Sequence, residues 1–87
     1  MTSKRTDRNQ SAIIKALRAA HCTVIDLSAV GRGCGDILAG RMGKWYMLEI
    51  KTEHGKPNKR QQKFSDECRG HYAVVRSVDE ALEVVGL

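Results

Sequence analysis

CGDILAGRMGKWYMLEIKTEHGK, residues 34–56, holds two short apolar runs, DILAG and KWYMLEIK, around the turn-forming GRMG, the pattern of a β-hairpin. The runs carry charges where a small core asks for Val or Leu: Asp36 opens the first, and Glu49 and Lys51 close the second. With GRMG read as a four-residue loop, Ala39 faces Lys44 and Asp36 faces Met47. Side chains alternate along a strand, so Asp36, Met47, Glu49 and Lys51 share one face, and Tyr46, Leu48 and Ile50 share the core face. Asp36 and Glu49 become diagonal neighbours with Cβ atoms about 7–8 Å apart, within reach of one cation. Two carboxylates so placed repel unless something positive lies between them. Mg²⁺ takes one or two carboxylates and keeps waters and phosphate oxygens, which suits this donor set. Lys51 could then orient an attacking water or stabilise charge on a phosphate, and Ile50 offers its backbone carbonyl. The same residues also read as an ordinary surface ion pair, Glu49 with Lys51, beside a turn aspartate.

Working outward, Ile13, Ile14, Leu17 and Ala20 recur at helical spacing before the hairpin, with Thr6 as N-cap and Asp7 in the first turn. Asp7, Gln10, Ile14 and Leu17 fall along one stripe. CTVIDL reads as a strand and SAVGRGCG as a glycine-rich loop. After the hairpin, Pro57 and Asn58 open a helix that Gly70 closes, YAVVR is a buried strand, and Ser77 with Glu80 makes a capping box for the last helix. The order is αβββαβα, an α/β domain with a mixed central sheet flanked by helices.

A chain of 87 residues has room for one domain, spanning residues 1–87, and one modest core. Its 41% hydrophobic and 29% charged residues suit a folded protein and argue against disorder. Lys and Arg outnumber Asp and Glu by 15 to 10, for a net charge of +5, which favours a polyanionic partner, nucleic acid first. Cys22, Cys34 and Cys68 are odd in number and lack Cys-x-x-Cys spacing, so they signal neither a disulfide framework nor a zinc site. No apolar run approaches a membrane span and the N-terminus lacks a signal-peptide core, so a cytoplasmic location is expected. GRMGKW lacks the first glycine and the Ser or Thr of a phosphate loop, and GRGCGD lacks a dinucleotide spacing, so no nucleotide cofactor is expected.

Asp36, its spacing to LEIK, the following TEHGKPNKRQQKF and the closing YAVVRSVDEAL together resemble the VRR-NUC (virus-type replication-repair nuclease) domain of the PD-(D/E)XK nuclease superfamily, from about Asp7 to the C-terminus. The resemblance implies a restriction-endonuclease-like fold and a Mg²⁺-dependent DNA endonuclease, with Mn²⁺ a substitute. It makes Asp36 and Glu49 metal ligands, Lys51 the catalytic lysine, and Gln61 the family's glutamine on the helix after the catalytic strand. Asp7 stands where the family usually has a metal-site glutamate. The chain also departs from the family's Gly-x-Pro-Asp with Gly33-Cys34-Gly35-Asp36. Small stand-alone members resemble phage and bacterial enzymes that cut four-way DNA junctions as homodimers, which implies branched DNA as partner and a second copy, with the dimer contact expected around Trp45 and the last helix. The other readings are a monomeric flap or single-strand nuclease and a non-catalytic nucleic-acid-binding module.

Basic residues add a phosphate-binding rim: Lys56, Lys59, Arg60 and Lys63 follow the catalytic strand, and Arg32 and Arg41 are expected in loops flanking Asp36. The same charges also fit a solvated helix face. Few aromatics are available for base stacking, so recognition of backbone and branched shape is expected over base sequence.

Overall fold

The computed structural model describes the backbone of residues 5–87 and side chains from residue 8 onward. The elements follow the expected order: α1 (Arg5–Ala19), β1 (Thr23–Asp26), β2 (Ile37–Arg41), β3 (Lys44–Ile50), α2 (Lys59–Glu67), β4 (His71–Val75) and α3 (Val78–Val84). The four strands form one sheet in the order β1-β2-β3-β4. β1, β2 and β3 are antiparallel neighbours, whereas β4 runs parallel to β3, which requires the crossover that α2 supplies.

Alternation along the strands sorts the sheet into two faces. Val24, Ile37, Ala39, Leu48, Ile50 and Val75 point to one side, where they are buried together with Ile13 and Leu17 of α1 and Ala81 and Val85, at the end of α3. α2 contributes no buried residue; it lies over the other face, where Phe64 stacks on Tyr72 with ring centroids 5.8 Å apart. Glu49 belongs to that second face and is 1% exposed, the one buried charged residue among the described ones.

The hairpin register differs from the expected one. Arg41 pairs with Lys44 and Ile37 with Leu48, so the turn holds only Met42 and Gly43, at φ 52° and 79°. Positive φ at both central residues marks the type I′ turn, whose twist matches that of the flanking strands, whereas a four-residue loop lacks that match. The correction is a shift of two residues. Because strand side chains repeat every second residue, an even shift leaves every side chain on its expected face. Asp36 lies just beyond the last paired residue, with its N–H on Leu48 O and its carboxylate on Ile50 N–H, so it brackets Glu49 from the neighbouring strand.

Helix ends show two further differences. α1 already includes Arg5, so Thr6 lies inside the helix and is not its N-cap. Its inward stripe runs Asn9, Ile13, Leu17, one position away from the expected Asp7, Gln10, Ile14 line, and the side chain of Asp7 lies outside the described ones. Ser77 caps α3 by accepting from Glu80 N–H at 3.1 Å, but the Glu80 carboxylate accepts from Arg76 N–H at 2.7 Å and so closes no reciprocal box.

Candidate active site

Asp36 sits at the end of the 27–36 loop, just before β2, and its backbone already belongs to the sheet. Its N–H donates to Leu48 O at 2.8 Å and its carbonyl accepts from Leu27 N–H at 2.8 Å. The carboxylate carries the ladder one step further, since Oδ2 accepts from Ile50 N–H at 2.6 Å, where a main-chain acceptor would otherwise stand. Glycines press this loop into place. At Gly33, φ is +79° and a Cβ would lie 2.5 Å from Arg60 O; at buried Gly35 a Cβ would lie 2.6 Å from Met47 Cγ and 2.9 Å from Leu48 O. Close packing against α2 and β3 thus holds Asp36 where the family's proline is missing.

Glu49 precedes Ile50, whose N–H holds the Asp36 carboxylate, and so lies within reach of the Asp36 charge. Its Oε2 accepts from Gln61 Nε2 at 3.0 Å and lies 3.4 Å from Lys51 Nζ, while the buried Oε1 has no partner. Burial is the main force on this carboxyl, followed by the charge of Asp36; together they outweigh Lys51 and push its pKa up to about 7. Gln61 holds its own amide at both ends. Its Oε1 accepts from Asn58 N–H at 2.9 Å while Asn58 Oδ1 accepts from Gln61 N–H at 2.9 Å, a full capping box for α2, and this turns Nε2 toward Glu49. One side chain therefore couples the start of α2 to the end of β3. Ile50 directs its N–H to Asp36, and since N–H and C=O of a strand residue point to the same neighbour, its carbonyl faces that side as well.

This donor set fits a hydrated hard cation. Neighbouring carboxylates, one with an unpaired buried oxygen and a proton affinity raised by the other, are relieved by positive charge. Among the described residues no group of three or more His, Cys, Asp or Glu side chains is placed to hold a metal, so a cation here would keep much of its water.

The basic residues divide. Arg32, Arg60 and Lys63 line a cavity of about 400 Å³ with Phe64 and Glu67. Arg60 also lines a second cavity, of about 250 Å³, with Cys34, Asp36 and Gln61, so it joins the basic cleft to the acidic pair. Lys56 and Lys59 are exposed and line neither cavity. Arg41 is misplaced by the sequence reading. It ends β2 beside the hairpin turn, where its guanidinium donates to Val85 O at 3.1 Å, and five residues of strand put it about 16 Å from Asp36.

Four functional neighbours went unread in the sequence. Asn58 with Gln61 carried the legible signal, Asn-x-x-Gln before a helix. Asn9 Nδ2 donates to Lys51 O at 3.2 Å and to Arg76 O at 3.3 Å, tying α1 to the ends of β3 and β4. Arg76 donates to the carbonyls of Thr52 at 2.7 Å and Gly55 at 2.5 Å, and so folds the loop after Lys51. Tyr72 lies on the face of Glu49 under α2. These contacts span 21 to 67 residues of sequence, and no local pattern announces them.

Neither a protein-family model nor a curated protein matches the sequence. The fold is similar to that of a solved structure described as a VRR_NUC domain, with a TM-score of 0.79 and 25% sequence identity, covering 95% of this chain and 96% of the other. No helix among the described residues is long and apolar enough to cross a membrane. The residues Asp36, LEIK and RQQKF, and the fold that brings them together, lead to one conclusion: the chain has the fold of a VRR_NUC domain.

Proposed function

We propose that the protein is a Mg²⁺-dependent DNA endonuclease of the PD-(D/E)XK type that acts as a homodimer on branched, four-way DNA. The observation that carries the reading is the pair Asp36 and Glu49: the Asp36 carboxylate is held on Ile50 N–H, next to Glu49, its charge acts on the Glu49 carboxyl, and Glu49 Oε1 is buried and unpaired. Asp36, Glu49 and the Ile50 carbonyl are the groups that would hold the ion, with Asp7 as a further ligand. A divalent ion there supplies a Lewis acid for the phosphate and lowers the pKa of a water. Lys51, whose ammonium lies 3.4 Å from Glu49 Oε2 on a side chain 19% exposed, orients an attacking water or meets charge growing on the phosphate beside the acids. Gln61 keeps Glu49 aimed by holding Oε2. Arg60, Arg32 and Lys63 bind phosphates of the strand beside the acids, with affinity that falls as salt rises; Lys56 and Lys59 add long-range attraction.

Apolar surface supports a second copy. Trp45 is 47% exposed, Ile25 45% and Met42 82%, all near the hairpin. The last helix offers less than the sequence reading expected, because Ala81 and Val85 are spent on the chain's own core. Paired sites related by a two-fold axis suit a substrate that needs two incisions.

The test is a panel of labelled four-way, flap, single-stranded and linear DNA, incubated at several protein concentrations with Mg²⁺, with Mn²⁺ and with chelator. Cleavage that needs the metal and disappears in Asp36→Asn, with DNA binding kept, supports the reading. Binding without cleavage under either metal would make the protein a DNA-binding module. Cutting of flaps or single strands at a rate proportional to protein concentration would make it a monomeric nuclease.

A further inference from the structure

Among the described residues two buried side-chain atoms lack a hydrogen-bond partner, Glu49 Oε1 and Tyr72 Oη. They are neighbours in the fold. β3 and β4 run parallel with Glu49 beside Val74 and Met47 beside Tyr72, so Tyr72 projects from the same face as Glu49 and lies diagonal to it on the next strand. Phe64 of α2 stacks on the Tyr72 ring and holds it there. A buried hydroxyl without a partner destabilises a fold, and native proteins retain one where a water, ion or ligand completes it. Here the orphans are complementary, since a phenol donates and a carboxylate oxygen accepts. The phenol also stays a donor: burial, and then the charges of Glu49, Asp36, Cys34 and Cys68, push its pKa up to about 12.

We propose that Tyr72 is a positioning residue of the acidic site, its hydroxyl donating to a water lodged against Glu49 Oε1 and so fixing the orientation of that carboxylate toward Asp36. The proposal rests on Glu49 being a functional carboxylate, as argued above. A water with both groups as partners satisfies each orphan at once, and when a hydrated cation sits at the acids this hydroxyl constrains its water shell from the α2 side. The chain thereby keeps a hydroxyl that stability alone would exchange for the hydrogen of Phe.

Tyr72→Phe removes the hydroxyl and keeps the ring against Phe64. In chelator, its melting temperature should equal or exceed that of the wild type; a fall of several degrees would reveal a protein partner for the hydroxyl and overturn the proposal. Titrated with MnCl₂ and followed by calorimetry, the variant should bind about tenfold more weakly, the loss of one hydrogen bond in the ion's surroundings, and its single-turnover cleavage should fall by a similar factor. Unchanged Mn²⁺ affinity would overturn the proposal. Wild-type protein that binds no Mn²⁺ would instead remove the metal reading. In that case a high-resolution crystal structure decides the matter for Tyr72: a water within hydrogen-bond distance of both Tyr72 Oη and Glu49 Oε1 sustains it, and its absence refutes it.

Discussion

Substituting Glu49 by Gln should make the metal-free protein more stable at neutral and alkaline pH while destroying its chemistry. Glu49 has an ordinary carboxyl value of 4.5 when unfolded and is pushed up to about 7 when folded, by burial and by Asp36. At 1.36 kcal/mol per decade, that difference corresponds to about 3 kcal/mol of folding free energy. Between the two values the folded chain holds a proton that the unfolded chain has released. The stabilisation is therefore fully present below pH 4.5 and is lost as pH rises through about 7, where the folded protein must also carry the buried charge. Gln has no proton to lose, still accepts from Gln61, and replaces repulsion of Asp36 by an N–H that can donate to it. Allowing for the weakened contact to Lys51, the variant should exceed the wild type by about 1–3 kcal/mol near pH 8, roughly 5–20 °C in melting temperature for a domain of this size. The assay is thermal unfolding in chelator, followed by circular dichroism at about pH 5 and about pH 8, with the wild-type-minus-variant difference cancelling the other titrating groups. Added Mg²⁺ should narrow the gap by stabilising the wild type alone. A variant less stable than the wild type at pH 8, or a difference that does not change with pH, would refute the electrostatic account of the site.

Gln61→Leu removes a cap partner and a donor to Glu49 together, so urea midpoints should report a loss of about 1–2 kcal/mol, and cleavage should fall further than stability explains. Gln61→Glu keeps an acceptor for Asn58 N–H but sets a further carboxylate against Glu49, and should lower the melting temperature in chelator at about pH 8 while raising Mn²⁺ affinity by calorimetry, with little loss of helix content by circular dichroism. Arg76→Lys replaces a guanidinium that holds the Thr52 and Gly55 carbonyls, and limited proteolysis should then cut the segment between β3 and α2 faster. Met42→Asn relieves a left-handed Met at an exposed turn and should raise the stability of the single chain by about 0.5–1 kcal/mol, read from the urea midpoint at low protein concentration. Arg60→Ala should lower DNA affinity and reduce the salt slope by about one, while Arg41→Ala should leave that slope as it is, because Arg41 binds Val85 O at the far end of β2.

The sequence by itself determined the order of elements, the faces of the strands and the identity of the acids. Those properties are local: apolar alternation, turn residues and caps act within a few residues, so DILAG and KWYMLEIK announce both a hairpin and the side on which Asp36, Glu49 and Lys51 stand. Even the wrong turn length did no harm to the faces, because a shift of two residues preserves strand parity. Tertiary structure decided the rest. The I′ turn at Met42 and Gly43 and the hydrogen bonds of Asp36 to Leu48 and Ile50 set it beside Glu49, and the docking of α2 over the sheet buried Glu49, brought Gln61 to its Oε2 and enclosed the hydroxyl of Tyr72. Arg41 and Arg60 look alike in the sequence, two arginines in basic, glycine- or lysine-flanked segments, yet chain direction carries one away from the acids and brings the other beside them. Distance along the chain sets local conformation, whereas charge and desolvation act through space, and only the folded chain fixes which groups share that space.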